Sequence, residues 1–441
     1  MSYNLTFDER LTIDQLKDII RHIKNKTSEY EKLQAYYMGD NTEITRRSRV
    51  NPIPIPYGRK IVNTVTGYMF KPGYIGYSTE NEVYKELIDE VFYQNHEDEI
   101  TSALGKTCSI YGVAYELHFL GVDDEGAAMP KFVSVSPMEM VAVYHQDLKI
   151  EDMACAVRLY SYGKEQLVDV YYPDVVQHFM TDNSGNIKIA QDEELHGYTK
   201  VPVVQYVNNE EEMGDFKPVL KLIDAYDTLM SDSVGEIEKL AEAYLVLTNQ
   251  IVAENDVQEM RRRRIIELME GGKAEFLTKN VSPELLKFMR DWIREEIHTQ
   301  SQIPDMSDQS FAGTQSGIAI RYKLNDLENI CSTKEIYFRK GLFRRLTILD
   351  GMMDELWTDV GDVREIEITF TRNIPMNYVE IAQIVRDLRG HISLQTLLEQ
   401  VVPFVTSAQD EINRLKAETD PYAYLVDQED EVDTIPNDTD E

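Results

Sequence analysis

Cysteine is nearly absent from this chain. Its three copies in 441 residues, Cys108, Cys155 and Cys331, stand far apart with no CxxC pair, which leaves no basis for a disulfide framework or a Cys-type zinc site. Positive charge is also scarce: 45 Lys+Arg face 78 Asp+Glu, a net charge of −33 at pH 7, which excludes a protein that holds nucleic acid simply by being basic overall. No apolar run approaches the roughly 18 residues needed to span a bilayer, so no membrane partner is expected. The start, MSYNLTFDER, lacks the basic residues and apolar stretch of a secretory signal, and the expectation is a protein made in a reducing cytoplasm.

Catalytic motifs are missing as well. There is no GxxxxGK[ST] phosphate loop, since Gly271-Gly272-Lys273-Ala274 lacks the first glycine and the hydroxyl. GxGxxG, HExxH and GxSxG do not occur. The eight histidines are scattered, and neither His96 nor His118 has a second ligand at a useful spacing. The reading is no enzyme, with no catalytic residue, no metal and no cofactor.

What is present is apolar material, 42% of residues, enough for a folded chain of two to four packing units. Thr12 and Gln15 fit a capping box ahead of Leu16, Ile19, Ile20 and Ile23 at helical spacing, and a second helical run over 28–38 stops at Gly39. Pro52, Pro54 and Pro56 alternate, removing amide donors and imposing an extended strap. Helices are predicted over 57–70, 81–94 and 97–110, with a strand at 74–77 between the first two. Alternating strands follow near 113–119, 131–135, 140–144, 154–160, 166–172 and 203–207, with a turn at 182–186 between two further strands. The fold class for 1–215 is therefore α+β.

Beyond it Asp215 is placed as a helix N-cap with Pro218 in the first turn, and the period predicts a helix over 218–247. A hairpin bracketing Gly271-Gly272 (264–269 and 274–278) and a helix from Ser282-Pro283 follow. Residues 303–316 are a loop by composition, 317–356 a helix of up to about 60 Å, 363–371 a strand and 377–415 helical. Helices this long are not expected to fit inside one globule. Residues 427–441 carry eight acids and no positive charge, which predicts disorder.

The basic runs Arg46-Arg47-Arg49 and Arg261–Arg264 read first as solvated and second as grips on an acidic partner or phosphate. Arg339-Lys340 and Arg344-Arg345 read as the polar side of the long helix. Among 26 tyrosines, Tyr36, Tyr37, Tyr57, Tyr68, Tyr74 and Tyr77 suit interfaces as well as cores.

Short pieces distributed over the chain carry a resemblance. Tyr36-Tyr37-Met38-Gly39, Asn51-Pro52, Lys60-Ile61-Val62-Asn63, Gly67 to Pro72, Tyr111 to Glu116 and Ser136-Pro137-Met138-Glu139 lie early. Gly214-Asp215-Phe216, Leu222 to Asp227, Leu277 to Asn280, Pro304 to Asp308, Phe311 to Ala319 and Asn373 to Asn377 lie later. In this order, over roughly 30–415, the chain resembles the portal proteins of tailed bacteriophages, the type found in long-tailed phages of Gram-positive hosts.

The resemblance implies a multi-part portal subunit: an α+β wing (1–215), a stem helix (within 216–253), a small α/β clip (254–282), a second stem helix (283–302), a tunnel loop and long tunnel helix (303–356), a return strand to the wing (357–372), a helical crown (373–420) and an acidic tail (421–441). It implies a homo-oligomeric ring, expected to be a dodecamer, at one capsid vertex of the virion, assembled in the host cytoplasm, with double-stranded DNA passing through the tunnel. Partners implied are the terminase motor, which carries the ATP hydrolysis, capsid and scaffolding proteins, and head-completion or connector proteins. The tunnel-facing candidates are Asp305, Ser307, Asp308, Gln309, Arg321 and Lys323. The partner-binding candidates in the clip are Glu267, Lys273, Glu275 and Lys279. A mostly negative tunnel wall agrees with this, because sparse cations keep the counterion release that binds DNA tightly to a minimum. Two other readings remain open from residues alone: a cytosolic enzyme whose site is not recognisable from spacing, and an acidic adaptor that mimics DNA through its tail.

Overall fold

The structure is a computed structural model that describes residues 3–6, 10–40, 52–123, 125–147, 152–163, 165–181, 186–241, 244–248, 270–277, 282–305, 322–357, 361–373, 378–402, 405 and 407–417. After a short strand, β1 (Tyr3–Leu5), helix α1 runs unbroken over Ile13–Met38, where the sequence suggested two helices. The capping box forms in both directions between Thr12 and Gln15, and Gly39 ends the helix at φ 79°. The polar stretch between the apolar runs does not interrupt it; within that stretch Thr27 Oγ1 donates back to the Ile23 carbonyl, so its hydroxyl is satisfied inside the helix.

Helix α2 (Tyr57–Met69), strand β2 (Ile75–Ser78), α3 (Glu82–Asn95) and α4 (Glu97–Tyr111) follow as expected. Seven antiparallel strands come next: β3 (Val113–Val122), β4 (Ala128–Val135), β5 (Met140–His145), β6 (Met153–Tyr162), β7 (Glu165–Tyr171), β8 (Val175–Thr181) and β9 (Ile187–Leu195), with β10 (Val203–Val207) after them. They form two sheets. One has the order β1-β5-β6-β7-β8-β9, with β1 parallel to β5, and α1 lays Leu16, Ile19, Ile20 and Ile23 on it. The other has the order β10-β3-β4. The expected 182–186 turn falls almost wholly outside the described residues, but the strands on either side of it do pair.

Helix α5 covers Leu220–Ala241 and then yields to a strand, β11 (Tyr244–Thr248), which pairs antiparallel with β12 (Lys273–Leu277). The predicted extension to 247 is corrected: Tyr244-Leu245-Val246-Leu247-Thr248 keeps the helix's apolar content but consists mainly of residues that fit a pleated surface. The expected partner of β12, residues 264–269, lies outside the described residues, and β12 instead pairs with a strand some 25 positions earlier. Helix α6 (Pro283–Ser301) starts at Ser282, whose hydroxyl accepts from the Leu285 amide.

Helix α7 (Asn325–Trp357) has 33 residues, about 50 Å at 1.5 Å per residue. It packs on β10, and Phe338, Leu342 and Leu346 are buried in the main core together with residues of α2, α4 and β10. This corrects the expectation that so long a helix must find its cover elsewhere. A 3-10 turn over Val363–Glu365 leads to β13 (Glu367–Phe370), which pairs with β2. The helical stretch expected over 377–415 consists of three helices, α8 (Tyr378–Leu388), α9 (Leu394–Gln400) and α10 (Ala408–Ala417). Leu398, Val402 and Ala408 make their small core.

Candidate functional site

The proline strap is the first element that the chain pins to α5. With prolines at 52, 54 and 56, only Ile53 and Ile55 offer amide donors, and both are used. Ile53 N donates to Ser231 Oγ at 2.9 Å and Ile55 N to Asp227 Oδ1 at 2.9 Å. Residues 227 and 231 lie one turn apart on α5, and donors two apart on an extended chain span a similar distance, so strap and helix match. Tyr36 Oη donates to Asp224 on the same helix at 2.5 Å. Of the six early tyrosines, Tyr36, Tyr37, Tyr57 and Tyr68 are buried in the core, and Tyr74 and Tyr77 are half-buried.

The strap delivers α2 to the end of α6, where four polar groups meet. Asp305 accepts from Lys60 Nζ at 3.0 Å on Oδ1 and from Arg294 Nη2 at 3.0 Å on Oδ2. His298 Nδ1 donates to the Ile303 carbonyl at 2.9 Å, which leaves Nε2 as the acceptor for Lys60 Nζ at 3.4 Å. Burial holds the His298 pKa below the ordinary histidine value, and the Lys60 and Arg294 charges add to that. The ring rests edge-on against Tyr57, itself edge-on to Tyr226 of α5. Gln302, at φ 57°, caps α6 in the left-handed region, so the chain reverses and returns Asp305 to the helix it has just left.

At 100° per residue α6 has three sides. Ile293 and Ile297 are buried, and the helix packs on α5. Lys287, Arg290, Arg294 and His298 share a second side. Leu285, Phe288 and Trp292 share the third and are 58%, 64% and 45% exposed. A leucine and two aromatic side chains bared in a row on one side of a helix are the mark of a contact surface.

A buried ionic lock holds the long helix. Arg345, read from the sequence as solvated, is 0% exposed and meets Glu116 of β3 through Nε and Nη2, and Glu97 and Thr101 of α4 through Nη1. Burial is the largest influence on Glu116 and would raise its pKa, but the Arg345 charge, together with the hydrogen bonds from His118 and Arg345 and the His118 charge, outweighs it and holds the carboxyl at about 2. His118 Nε2 faces the same carboxylate at 2.9 Å, and desolvation lowers its pKa. A second buried pair, Lys334 and Asp215 at 2.7 Å, corrects the assignment of Asp215 as a helix cap. Asn208 Nδ2 also donates to Asp215, while the 3-10 turn ahead of α5 has no side-chain cap at all.

Of the residues singled out from sequence, Asp305 lies in the α6 cluster with its side chain 14% exposed. Lys323 is half-buried just before α7. Lys273 is exposed on β12 opposite Thr248, and the backbone of Glu275 pairs with Val246. Ser307, Asp308, Gln309, Arg321, Glu267 and Lys279 lie outside the described residues, as do Arg46-Arg47-Arg49, Arg261–Arg264 and the acidic tail. Sequence reasoning missed Lys60, Arg294 and His298. The available signal was the i, i+4 spacing of Arg294 and His298 ahead of Pro304-Asp305. Among the described residues no group of three or more His, Cys, Asp or Glu is arranged to hold a metal, and no helix is long and apolar enough to cross a membrane.

A family model described as "Phage portal protein, SPP1 Gp6-like" matches residues 16–423. The portal protein of Bacillus phage SPP1 is 24% identical over 374 residues, which cover 80% of this chain and 73% of that protein. The portal protein of Clostridium phage phiCD119 is 22% identical over 287 residues, 63% of this chain and 62% of that protein. Two solved structures are similar at 12% identity. The neck of an empty gene transfer agent particle, computed with C6 symmetry, has a TM-score of 0.48 and covers 85% of this chain and 93% of that chain. The virion of a native gene transfer agent particle has a TM-score of 0.44 and covers 86% and 94%.

Proposed function

The chain belongs to the SPP1 Gp6-like family of phage portal proteins, and from that premise we propose that its copies close into a ring, a dodecamer, whose axis is the path of double-stranded DNA. As a portal it is a virion protein at the capsid vertex through which the genome is packaged and ejected. The terminase motor docks on it during packaging, and head-completion or connector proteins dock on it afterwards; capsid and scaffolding proteins meet its rim during assembly in the host cytoplasm.

The observation that carries the ring is the bared side of α6. Leu285 and Phe288 are more than half exposed and Trp292 nearly half, on a helix whose Ile293–Ile297 side is packed, and a neighbouring copy is the cover a ring supplies. The wing is 1–215, α5 and α6 are the two stem helices, α7 with the segment before it is the tunnel element, 357–372 returns to the wing, and the helices from 373 to 420 are the crown. Because β11 pairs with β12, we draw the clip from 244 rather than 254, and Lys273 and Glu275 remain its docking candidates, with Glu267 and Lys279. Ser307, Asp308, Gln309, Arg321 and Lys323 remain the candidates for facing DNA.

Negative-stain microscopy of the purified protein tests the ring: end-on annuli with a central hole are expected, and a monodisperse single copy that forms no rings with its capsid partners overturns it. Asp308→Lys tests the tunnel placement. Slower packaging with intact rings is expected, because an added cation on the wall binds phosphate, and unchanged packaging removes Asp308 from the path.

A further inference from the structure

Four elements converge on Asp305: Lys60 comes from α2, Arg294 and His298 from α6, the carboxylate from the chain three residues past the left-handed cap, and Tyr57, edge-on to Tyr226, ties the group to α5. Resting on the portal reading, we propose that Asp305 is a positioning residue: with Lys60 and Arg294 it forms a clasp that fixes where the 306–321 segment leaves the stem, so that the segment is presented to DNA from a rigid root.

Three features of the geometry support this. The carboxylate uses both oxygens on cations of its own chain and is largely shielded from solvent, so it is committed to the cluster and is not free to brush a passing duplex. The two cations sit on different helices, so one side chain ties the root of the segment to the stem and to the body behind the strap at once. Lys60 also reaches His298 Nε2, whose ring is oriented by the Ile303 carbonyl two residues before Asp305, which closes a circuit of contacts around the reversal at Gln302. A site intended only for charge neutralisation needs no such orientation.

Asp305→Asn keeps size and one acceptor while removing the charge, Asp305→Glu restores the charge, and Lys60→Met removes the far anchor. Each is made in the full-length protein and read three ways: ring formation by microscopy, hydrogen exchange of the peptide spanning 303–321, and packaged genomes per head when the protein complements a phage lacking its portal. The clasp predicts intact rings for all three. Exchange in that peptide should rise about fivefold for Asp305→Asn and Lys60→Met, the ratio that ~1 kcal/mol corresponds to. Packaged genomes should fall in the same two variants and recover in Asp305→Glu, and the double variant Asp305→Asn with Lys60→Met should be no worse than either single one.

Packaging unaffected by Asp305→Asn overturns the clasp. So does impaired packaging without a change in exchange at 303–321, which makes Asp305 a direct DNA contact, and so does loss of rings in both variants, which makes the cluster an assembly contact. Failure of the wild-type chain to form rings or to complement refutes the portal reading itself, so the two failures are told apart.

Discussion

Arg345 and Glu116, 229 positions apart in the chain, meet at 2.6 Å between Nη2 and Oε2 with neither side chain exposed to solvent. The contact sets the register of α7 against β3, and Glu97 and Thr101 complete it from α4. Around it Tyr206 and Phe132 present their ring faces to the guanidinium, which shields the group on its remaining sides.

Removing Arg345 leaves Glu116 and Glu97 without their buried countercharge, and removing Glu116 leaves Arg345 with Glu97 as its one carboxylate among the described residues. Arg345→Met and Glu116→Gln are each expected to destabilise the fold by about 3–5 kcal/mol, measured by denaturant unfolding of the full-length protein. Arg345→Met combined with Glu116→Gln is expected to cost clearly less than the sum of the single losses. A simple sum would mean that the two side chains do not act as a pair.

The same cluster fixes an acid response. The pKa of His118 is lowered in the fold, so below the ordinary 6.5 the unfolded chain binds a proton that the folded one refuses, and stability falls as pH drops from that value. Glu116 is lowered to about 2 from 4.5, so its contribution is complete above 4.5 and is lost as pH falls from there towards 2. Thermal midpoints from pH 7.5 to 3 are expected to decline in two stages. His118→Gln, which keeps a donor to Glu116, is expected to weaken the upper stage; an unaltered profile would assign that stage to the other buried histidines.

The strap gives a third test. Ser231→Ala and Asp227→Ala each strand a half-buried amide, one of the two donors that the alternate prolines leave in the strap, and each is expected to cost about 1 kcal/mol. Hydrogen exchange of Ile53 and Ile55 should quicken before that of the α1 amides. Protection that persists in both variants would show that the strap is held by its apolar contacts alone.

These joints explain why the family pieces were legible and the site was not. Gly112 lies at φ 90°, where a Cβ would fall 2.1 Å from the Glu212 carbonyl oxygen, and a Cβ on Gly214 would fall 2.3 Å from the Ile110 oxygen, so the corner between β10 and α5 closes against the end of α4 only with glycine at both places. Asp215 beside it pairs with Lys334, and Asn373 bonds the carbonyls of Gly67 and Tyr68 at the other end of the core. Such residues read as motifs because their identities are forced. The period of a helix tells which positions are apolar, but an arginine on its polar flank looks the same whether it meets water or a buried carboxylate, and so the pattern alone reads Arg345 as solvated. Asp305 was read from the polar composition of its surroundings, which says nothing about two cations contributed from 245 and 11 positions earlier. The strand at 244–248 was hidden for the converse reason: its apolar content continues that of α5, and only its distant partner β12 makes it a strand.

The proposed ring contact rests on three side chains of α6. Leu285, Phe288 and Trp292 bare roughly 250 Å² between them if each loses the exposed share of a large side chain's area, and covering that surface contributes on the order of 6 kcal/mol per interface at about 25 cal/mol per Å². Phe288→Ser with Trp292→Gln removes most of it from every interface while touching nothing in the core, since Ile293 and Ile297 carry the packing of the helix on its own chain. The thermal stability of the single chain should change by less than about 1 kcal/mol. Mass photometry at micromolar concentration should nevertheless show the ring giving way to single copies, because a closed ring depends on every one of its interfaces at once. A drop in chain stability with rings intact would place these residues inside the fold instead, and the copies would then have to meet through another face of the stem.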